Sequence, residues 1–123
     1  MTTVLLVLLG GAVGAPARFL LDRAVQSRHD TAFPWGTLCV NVIGSAILGA
    51  LAGAATSHDS ALWTLVGTGF CGALTTFSTF GYETVRLLED RARLLTAANV
   101  TVTLVAGIGA AVAGFAAGAA LVG

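Results

Sequence analysis

Apolar residues occupy this chain in four long runs, and short polar stretches separate each run from the next. The runs cover about residues 4–25, 35–55, 61–87 and 94–122. An α-helix needs about 20 apolar residues to cross the roughly 30 Å hydrocarbon core of a bilayer, and each run is long enough. The pattern therefore predicts an all-α membrane protein, in which residues 1–123 form a single domain of four transmembrane helices.

The composition also indicates a membrane protein. The chain is 56% hydrophobic and only 10% charged, and a soluble domain of this length could not cover so much apolar surface. A net charge of zero offers no basic surface to a nucleic acid. Cys39 and Cys71 lie inside apolar runs without CxxC spacing, so we interpret them as buried small hydrophobic residues. No phosphate loop, zinc pattern or nucleophile elbow occurs in the sequence, and we predict that the protein is not an enzyme.

The third run departs from the composition of an ordinary helix over residues 67–83, which read GTGFCGALTTFSTFGYE. Three glycines fall within six positions. They are followed by the hydroxyl side chains of Thr75, Thr76, Ser78 and Thr79. Glycine costs about 1 kcal/mol relative to alanine in a helix interior, and hydroxyl groups offer the backbone competing hydrogen bonds. We therefore predict a local break near residues 72–76, whose freed carbonyl groups could hold a cation.

Two aromatic residues follow the predicted break. Phe77 and Phe80 stand three residues apart on one helical face, and Glu83 continues that face one turn later. Aromatic pairs at this spacing are also common in the cores of ordinary helix packings. The spacing alone leaves both interpretations open.

Polar residues recur at every fourth position in two of the other runs. Thr37, Asn41 and Ser45 form such a stripe in the second run, and Asn99 and Thr103 form a shorter one in the fourth. A single asparagine in a membrane helix often bonds to a neighbouring helix. Several donors in register can also bind an anion that has lost its water. The fourth-run pair is therefore either a second polar track or a set of hydrogen bonds between helices.

Small residues and one arginine mark the remaining features. Gly10 and Gly14 in the first run, and Gly49 and Gly53 in the second, predict faces that other helices approach closely. Arg18 follows Gly14 by four residues. Its guanidinium either extends to the membrane interface or faces a vestibule, where it would raise the local concentration of anions.

Residues 67–83 closely resemble the signature of the Fluc (CrcB) family of small fluoride channels. Two further motifs are similar to those of the family's first and second helices: GGAVGAPARF at residues 10–19 and PWGTLCVNVIGS at residues 34–45. The three motifs stand in the family's order and spacing, and together they span much of the chain.

The resemblance implies a four-helix subunit with a broken third helix, an antiparallel dimer, two fluoride pores and a central sodium ion. The sodium would be held by the main-chain carbonyls of Gly72 and Thr75 from both subunits. The positively polarised ring edges of Phe77 and Phe80 would contact fluoride, and the amide of Asn41 would donate to it. The other pore positions that the resemblance implies are Thr37, Ser78, Thr79, Glu83, Asn99 and Thr103, with Arg18 at the vestibule.

The function that the resemblance implies is passive export of fluoride across the plasma membrane, which lowers the cytoplasmic fluoride concentration. The partners are then fluoride, membrane lipid and a second subunit. That second subunit is either another copy of the chain or an inverted homologue, because every arginine falls in or beside the first and third connections and the chain has no lysine. The six are Arg18, Arg23, Arg28, Arg86, Arg91 and Arg93. Such a bias favours one orientation of insertion.

Two other functions suit a small four-helix membrane protein. A small multidrug transporter needs an embedded acidic residue in its first helix, and residues 4–17 contain none. A structural subunit of a larger membrane complex would use its small residues only for packing, and in isolation it would pass no fluoride.

Overall fold

The structure, a computed structural model, describes residues 2–29, 33–54, 61–75 and 78–122, apart from the side chains of Ser78 and Val122. Throughout these ranges the chain forms helices and short connections, and they contain no β-strand. The elements in order are helix α1 (Thr2–Gln26), helix α2 (Trp35–Ala54), a π-helical segment (Trp63–Cys71), helix α3 (Gly72–Leu74), helix α4 (Ser78–Glu89) and helix α5 (Arg93–Val122). The predicted all-α class is confirmed.

Three of the described helices, α1, α2 and α5, are long and apolar enough to cross a bilayer. They lie in the first, second and fourth apolar runs of the sequence, so the protein is a multi-pass membrane protein. The third run contains the π-helical segment, α3 and α4. Thr76 and Phe77, which connect α3 to α4, lie outside the described residues. The crossing of the bilayer by the third run, and the break within that run, therefore stay predictions.

The most extensive helix contact in the described chain joins α2 to α5. A Cβ atom at Gly49 would overlap the carbonyl oxygen of Ala111, and a Cβ atom at Gly114 would overlap that of Ala46. The other glycines that make such a contact are Gly53 and Gly118. Glycines from both helices thus bring the two backbones together, which confirms the predicted packing face at Gly49 and Gly53.

Helix α1 packs against the third run in the same way. Gly10 and Gly14 are both buried. A Cβ atom at Gly10 would lie only 2.7 Å from the backbone nitrogen of Phe70, and one at Gly14 would lie 3.0 Å from the Cβ atom of Ala73. The small-residue face predicted for the first helix is therefore confirmed.

Helix α4 reverses into α5 through a short turn. The Ala92 N–H donates to the Leu87 carbonyl at 2.9 Å, and the Arg91 N–H donates to the Leu88 carbonyl at 3.0 Å. Arg91 has φ 60°, in the left-handed region. These are the features of a Schellman motif, which satisfies the last carbonyls of α4 and turns the chain back along it. As a result α4 packs chiefly against α5.

Two glycines of α5 provide a test of the α2–α5 contact. Gly114→Ala should destabilise the protein by about 1–3 kcal/mol, because the added methyl meets the backbone of α2. Gly109→Ala makes the same change on the same helix, but nothing lies within 4 Å of its added Cβ. We expect thermal unfolding in detergent to show a lower midpoint for Gly114→Ala alone. Equal midpoints for the two variants would contradict the contact.

Candidate functional site

A cavity of about 350 Å³ gathers polar positions from three of the four apolar runs. Its lining includes Asn41 of α2, Gly72 and Thr75 of the third run, Phe80 of α4 and Thr103 of α5. Arginine and lysine do not occur among the described residues that line it. The cavity is therefore uncharged and mostly apolar, with Leu48 and Leu104 in its wall beside a few neutral hydrogen-bonding groups and an aromatic ring.

The backbone beside this cavity changes conformation at Thr75. Helix α3 ends at Leu74, and Thr75 is extended, with ψ 159°. The backbone N–H and the hydroxyl of Thr75 both donate to the Cys71 carbonyl, at 3.0 and 2.9 Å. Gly44 of α2 leaves room for Thr75, because a Cβ atom at Gly44 would overlap the Thr75 methyl group. The extended residue is thus fitted against α2.

A π-helical segment precedes this change. It runs over Trp63–Cys71, and the Gly72 N–H that follows it donates to the carbonyls of Gly67 and Gly69. Wider helical turns of this kind are uncommon and often occur at functional sites. Gly67 and Gly69 are buried. A Cβ atom at Gly69 would lie 2.9 Å from the Val7 carbonyl oxygen, so a side chain would not fit easily there, whereas one at Gly67 would make only ordinary contacts.

The aromatic and hydroxyl residues that follow are described only in part. Phe80 is half-buried and lines the cavity, and Thr79 is half-buried on the same helix. Phe77 and the side chain of Ser78 lie outside the described residues. The predicted alignment of Phe77 with Phe80 therefore stays a prediction.

A second cavity, of about 410 Å³, lies where the end of α1 meets α4. Asp22, Arg23 and Gln26 line it from α1, and Glu83 and Arg86 line it from α4. It brings together charged residues near the predicted first and third connections, which lie on the same side of the membrane if all four predicted helices cross it. Arg18 is half-buried in α1 and does not line either of these two cavities as the described residues define them.

Thr37 and Glu83 lie together beside this charged cavity. The Thr37 hydroxyl interacts with the Glu83 carboxylate. Thr37 is only 3% exposed, and within the described structure Thr37 Oγ1 and Glu83 Oε1 have no partner with good hydrogen-bond geometry. Buried polar atoms without such a partner are uncommon, because each costs about 1–3 kcal/mol. The two groups are thus neighbours, and neither atom has a well-aligned partner within the described residues.

The stripe in α2 begins next to a residue of the charged cavity and reaches the first cavity. Thr37 lies by the charged one, whereas Asn41 and Ser45 line the other. Successive members of the stripe are four residues apart, which is about 6 Å along a helix axis. The predicted stripe therefore extends between two cavities rather than facing a single neighbouring helix.

Asn99 has a different environment from Asn41. It is 1% exposed, its Nδ2 donates to Thr84 Oγ1 at 2.9 Å, and its Oδ1 accepts from the Thr103 hydroxyl at 3.3 Å. The hydrogen bonds between helices that the sequence left open are thus present. Thr103 takes part in them and also lines the first cavity. Whether either residue serves as a polar track stays a prediction.

Sequence reasoning did not single out three residues that the structure brings to these sites. They are Asp22, Gln26 and Thr84. Their signals are visible in retrospect: Asp22 is an acid four residues after Arg18 in an apolar run, and Thr84 follows Phe80 by one helical turn. Arg86 was noted only for its effect on the orientation of insertion, not as a residue of a cavity. The contacts depend on how separate helices meet, which spacing within one helix does not specify.

Comparison with known proteins adds independent evidence. Residues 5–115 match the family model described as CrcB-like protein, Camphor Resistance (CrcB). The chain is 58% identical over 117 residues to Fluoride-specific ion channel FluC 1 of Frankia casuarinae, covering 89% of this chain and 91% of the relative. It is 54% identical over 112 residues to Fluoride-specific ion channel FluC 1 of Streptomyces avermitilis, covering 89% of this chain and 90% of the relative. It is 52% identical over 108 residues to Fluoride-specific ion channel FluC 2 of Mycobacterium tuberculosis, covering 88% of this chain and 84% of the relative.

These relatives carry the name of an ion channel and not of an enzyme, in agreement with the prediction from the sequence. The family model spans all three motifs in which the resemblance was found, at residues 10–19, 34–45 and 67–83. The chain belongs to the CrcB family, the same family that its motifs resemble.

Proposed function

We propose that this protein is a fluoride-selective channel that lets fluoride leave the cytoplasm passively. The observation that carries the proposal is the first cavity, which Asn41 and Phe80 both line, in a chain whose relatives are named fluoride-specific channels. An ion that passes through a selective pore exchanges its water for protein groups. Fluoride is small and accepts strong hydrogen bonds, so amide and hydroxyl donors suit it.

The neutral lining supports selectivity against larger anions. Asn41 offers N–H donors, and the ring edge of Phe80 is positively polarised. A cluster of arginine or lysine side chains would attract any anion, whereas a few fixed short-range donors reward the one that fits them. By the resemblance, Phe77 pairs with Phe80, and Ser78 and Thr79 supply further hydroxyl groups along the same path.

The charged cavity is the proposed entrance to this path. Arg23 and Arg86 there would attract anions, while Asp22 and Glu83 keep the local charge balanced. Thr37 follows, and an ion leaving the entrance would compete with the Glu83 carboxylate for the proton of its buried hydroxyl. Arg18, half-buried one turn before Asp22, is proposed to act on the same vestibule.

We further propose a structural sodium ion beside Gly72 and Thr75. In a helix that ends at Leu74, the carbonyls of the last turn lack helical partners, and Gly72 belongs to that turn. Gly72 is exposed, and nothing lies within 4 Å of a Cβ atom built on it, so another molecule could approach closely. Oxygen ligands suit a small hard cation. A sodium bound there would supply a fixed positive charge shared by two subunits.

The second subunit would be antiparallel to the first, so that each dimer contains two pores and one central sodium site. A single subunit leaves large apolar side chains exposed along α5, among them Val105, Ile108 and Val112. Lipid and a partner subunit are the surroundings that such a surface requires. The partner is either a second copy of this chain or an inverted homologue.

Fluoride flux tests the proposed function. Liposomes that contain the protein should release fluoride rapidly and chloride at the rate of protein-free vesicles. Phe80→Ile keeps the bulk but loses the ring edge, and Asn41→Asp replaces an amide donor with an acceptor. Each should lower the fluoride rate by about tenfold or more, as expected for loss of a well-placed donor. A fluoride electrode records the release.

The matched control is Phe115→Ile, because Phe115 is 53% exposed on α5 and lies away from the first cavity. It should conduct like the unmodified protein. Equal release of chloride and fluoride would contradict selectivity, and normal flux through Phe80→Ile would reduce Phe80 to a packing residue.

Sodium removal tests the cation site. Protein prepared with N-methylglucamine in place of sodium should lose dimer and fluoride flux, because a backbone cage needs its cation to hold the two subunits. Added sodium should restore both, whereas potassium, which is larger, should not. Dimers should be dissociated and re-formed during the exchange, so that no trapped ion remains. Undiminished flux after this treatment would contradict the sodium site.

Orientation in the membrane tests the partner. All six arginines lie in or beside the two predicted connections at residues 26–33 and 88–95, so these should face the cytoplasm in most copies. In a background carrying Cys39→Ala and Cys71→Ala, Ser57→Cys should react with an impermeant thiol reagent outside intact cells. Ser27→Cys, its matched control, should react only in inverted vesicles. A homologue should then be needed for full fluoride protection of cells. Equal labelling of Ser57→Cys from both sides would instead favour a homodimer of oppositely inserted copies.

A further inference from the structure

Helix α4 carries Phe80, and among the described residues it packs mainly against α5. Its principal contact is with α5, to which the turn at residues 90–92 connects it. Leu87 of α4 is 1% exposed. The position of Phe80 at the cavity therefore depends on how α4 is fixed along and around its own axis against α5.

A chain of hydrogen bonds crosses this helix pair beside Phe80. Asn99 Nδ2 of α5 donates to Thr84 Oγ1 of α4 at 2.9 Å, and the Thr84 hydroxyl donates to the Phe80 carbonyl at 2.8 Å. On the other side of the amide, the Thr103 hydroxyl donates to Asn99 Oδ1 at 3.3 Å. This series of hydrogen bonds thus begins and ends at residues that line the first cavity, Thr103 and Phe80.

The direction of these hydrogen bonds fixes the orientation of the Asn99 amide. Because the Thr84 hydroxyl gives its proton to the Phe80 carbonyl, its oxygen can only accept from Asn99. Asn99 must therefore present its NH₂ group to Thr84 and its oxygen to Thr103. An apolar residue at position 99 would break the link on both sides.

The burial of Asn99 separates its role from that of the cavity residues. It is 1% exposed and does not line the first cavity in the described structure, although Thr103, one turn later on α5, does. The two helices are antiparallel, so Thr84 faces Asn99 one turn away from the level of Phe80 and Thr103. The Asn99 amide therefore lies one helical turn away from the cavity.

We infer that Asn99 is a positioning residue, which fixes Phe80 at the cavity through Thr84 instead of binding the ion itself. The inference rests on the proposed fluoride conduction for its functional consequence, but the placement of the ring does not depend on flux. Interhelical hydrogen bonds of buried asparagine in membranes contribute measurably to helix association, so this link is strong enough to set the register of α4.

Variants of Thr84 and Asn99 distinguish positioning from ion binding. Thr84→Val removes the acceptor with almost no change of shape, and Asn99→Leu removes the donor. If Asn99 positions Phe80, each should reduce fluoride flux by about tenfold, and the double variant should be no worse than either, because both break the same link. Thr84→Ser keeps the hydroxyl and should conduct within about twofold of the unmodified protein.

The matched control is Thr96→Val. Thr96 also donates to the carbonyl four residues before it, Ala92, at 2.8 Å, but the structure shows no bond from it to α4. A second measurement follows the ring itself: para-fluorophenylalanine incorporated at position 80 gives a fluorine NMR signal that should shift or broaden in Thr84→Val and Asn99→Leu. It should be unchanged in Thr96→Val.

Each outcome bears on a separate claim. An inactive unmodified protein would contradict the proposed function, while the NMR comparison would still test the placement of the ring. Loss of flux in Asn99→Leu with normal flux in Thr84→Val would assign Asn99 to ion binding and overturn the inference. Aggregation of Thr84→Val, with Thr84→Ser folded, would assign the hydrogen bonds to folding and also overturn it. An unchanged fluorine signal in Thr84→Val would overturn it as well.

Discussion

The contact between the backbones of α2 and α5 is the constraint on which the other features depend. Glycines from both helices permit it, and a single methyl at Gly49 or Gly114 would meet a carbonyl oxygen. Water does not drive helices together inside a bilayer, so close packing must supply the attraction. Because α5 is fixed on α2 in this way, it can serve as the support against which α4 packs.

The polar groups follow from this arrangement. A polar group costs free energy in an apolar environment unless it is hydrogen-bonded. Asn99 meets that requirement within the protein, through Thr84 and Thr103. Thr37 and Glu83 meet it only in part, and Asn41 lines a cavity. Asn99 therefore holds helices together, whereas Thr37 and Glu83 each retain an atom without a well-aligned partner among the described residues.

Much of the fold was predictable because apolar run length and glycine spacing depend on sequence alone: the bounds of α1, α2 and α5, and the faces at Gly10 and Gly49, follow from them. The resemblance of three motifs likewise identified the family. The link from Asn99 to Thr84 was not predictable, since it requires the register of two helices that a turn with Arg91 in a left-handed conformation sets. The charged cavity has the same origin, because Asp22 and Glu83 belong to different helices.

The central claim is that the neutral donors around the Asn41 cavity pass fluoride and exclude chloride. The most direct measurement is the reversal potential of current through the protein in a planar bilayer, with a fluoride gradient and equal chloride on both sides. The account predicts reversal at the fluoride equilibrium potential, with no shift when a chloride gradient is then imposed. A reversal potential that follows the chloride gradient would contradict it.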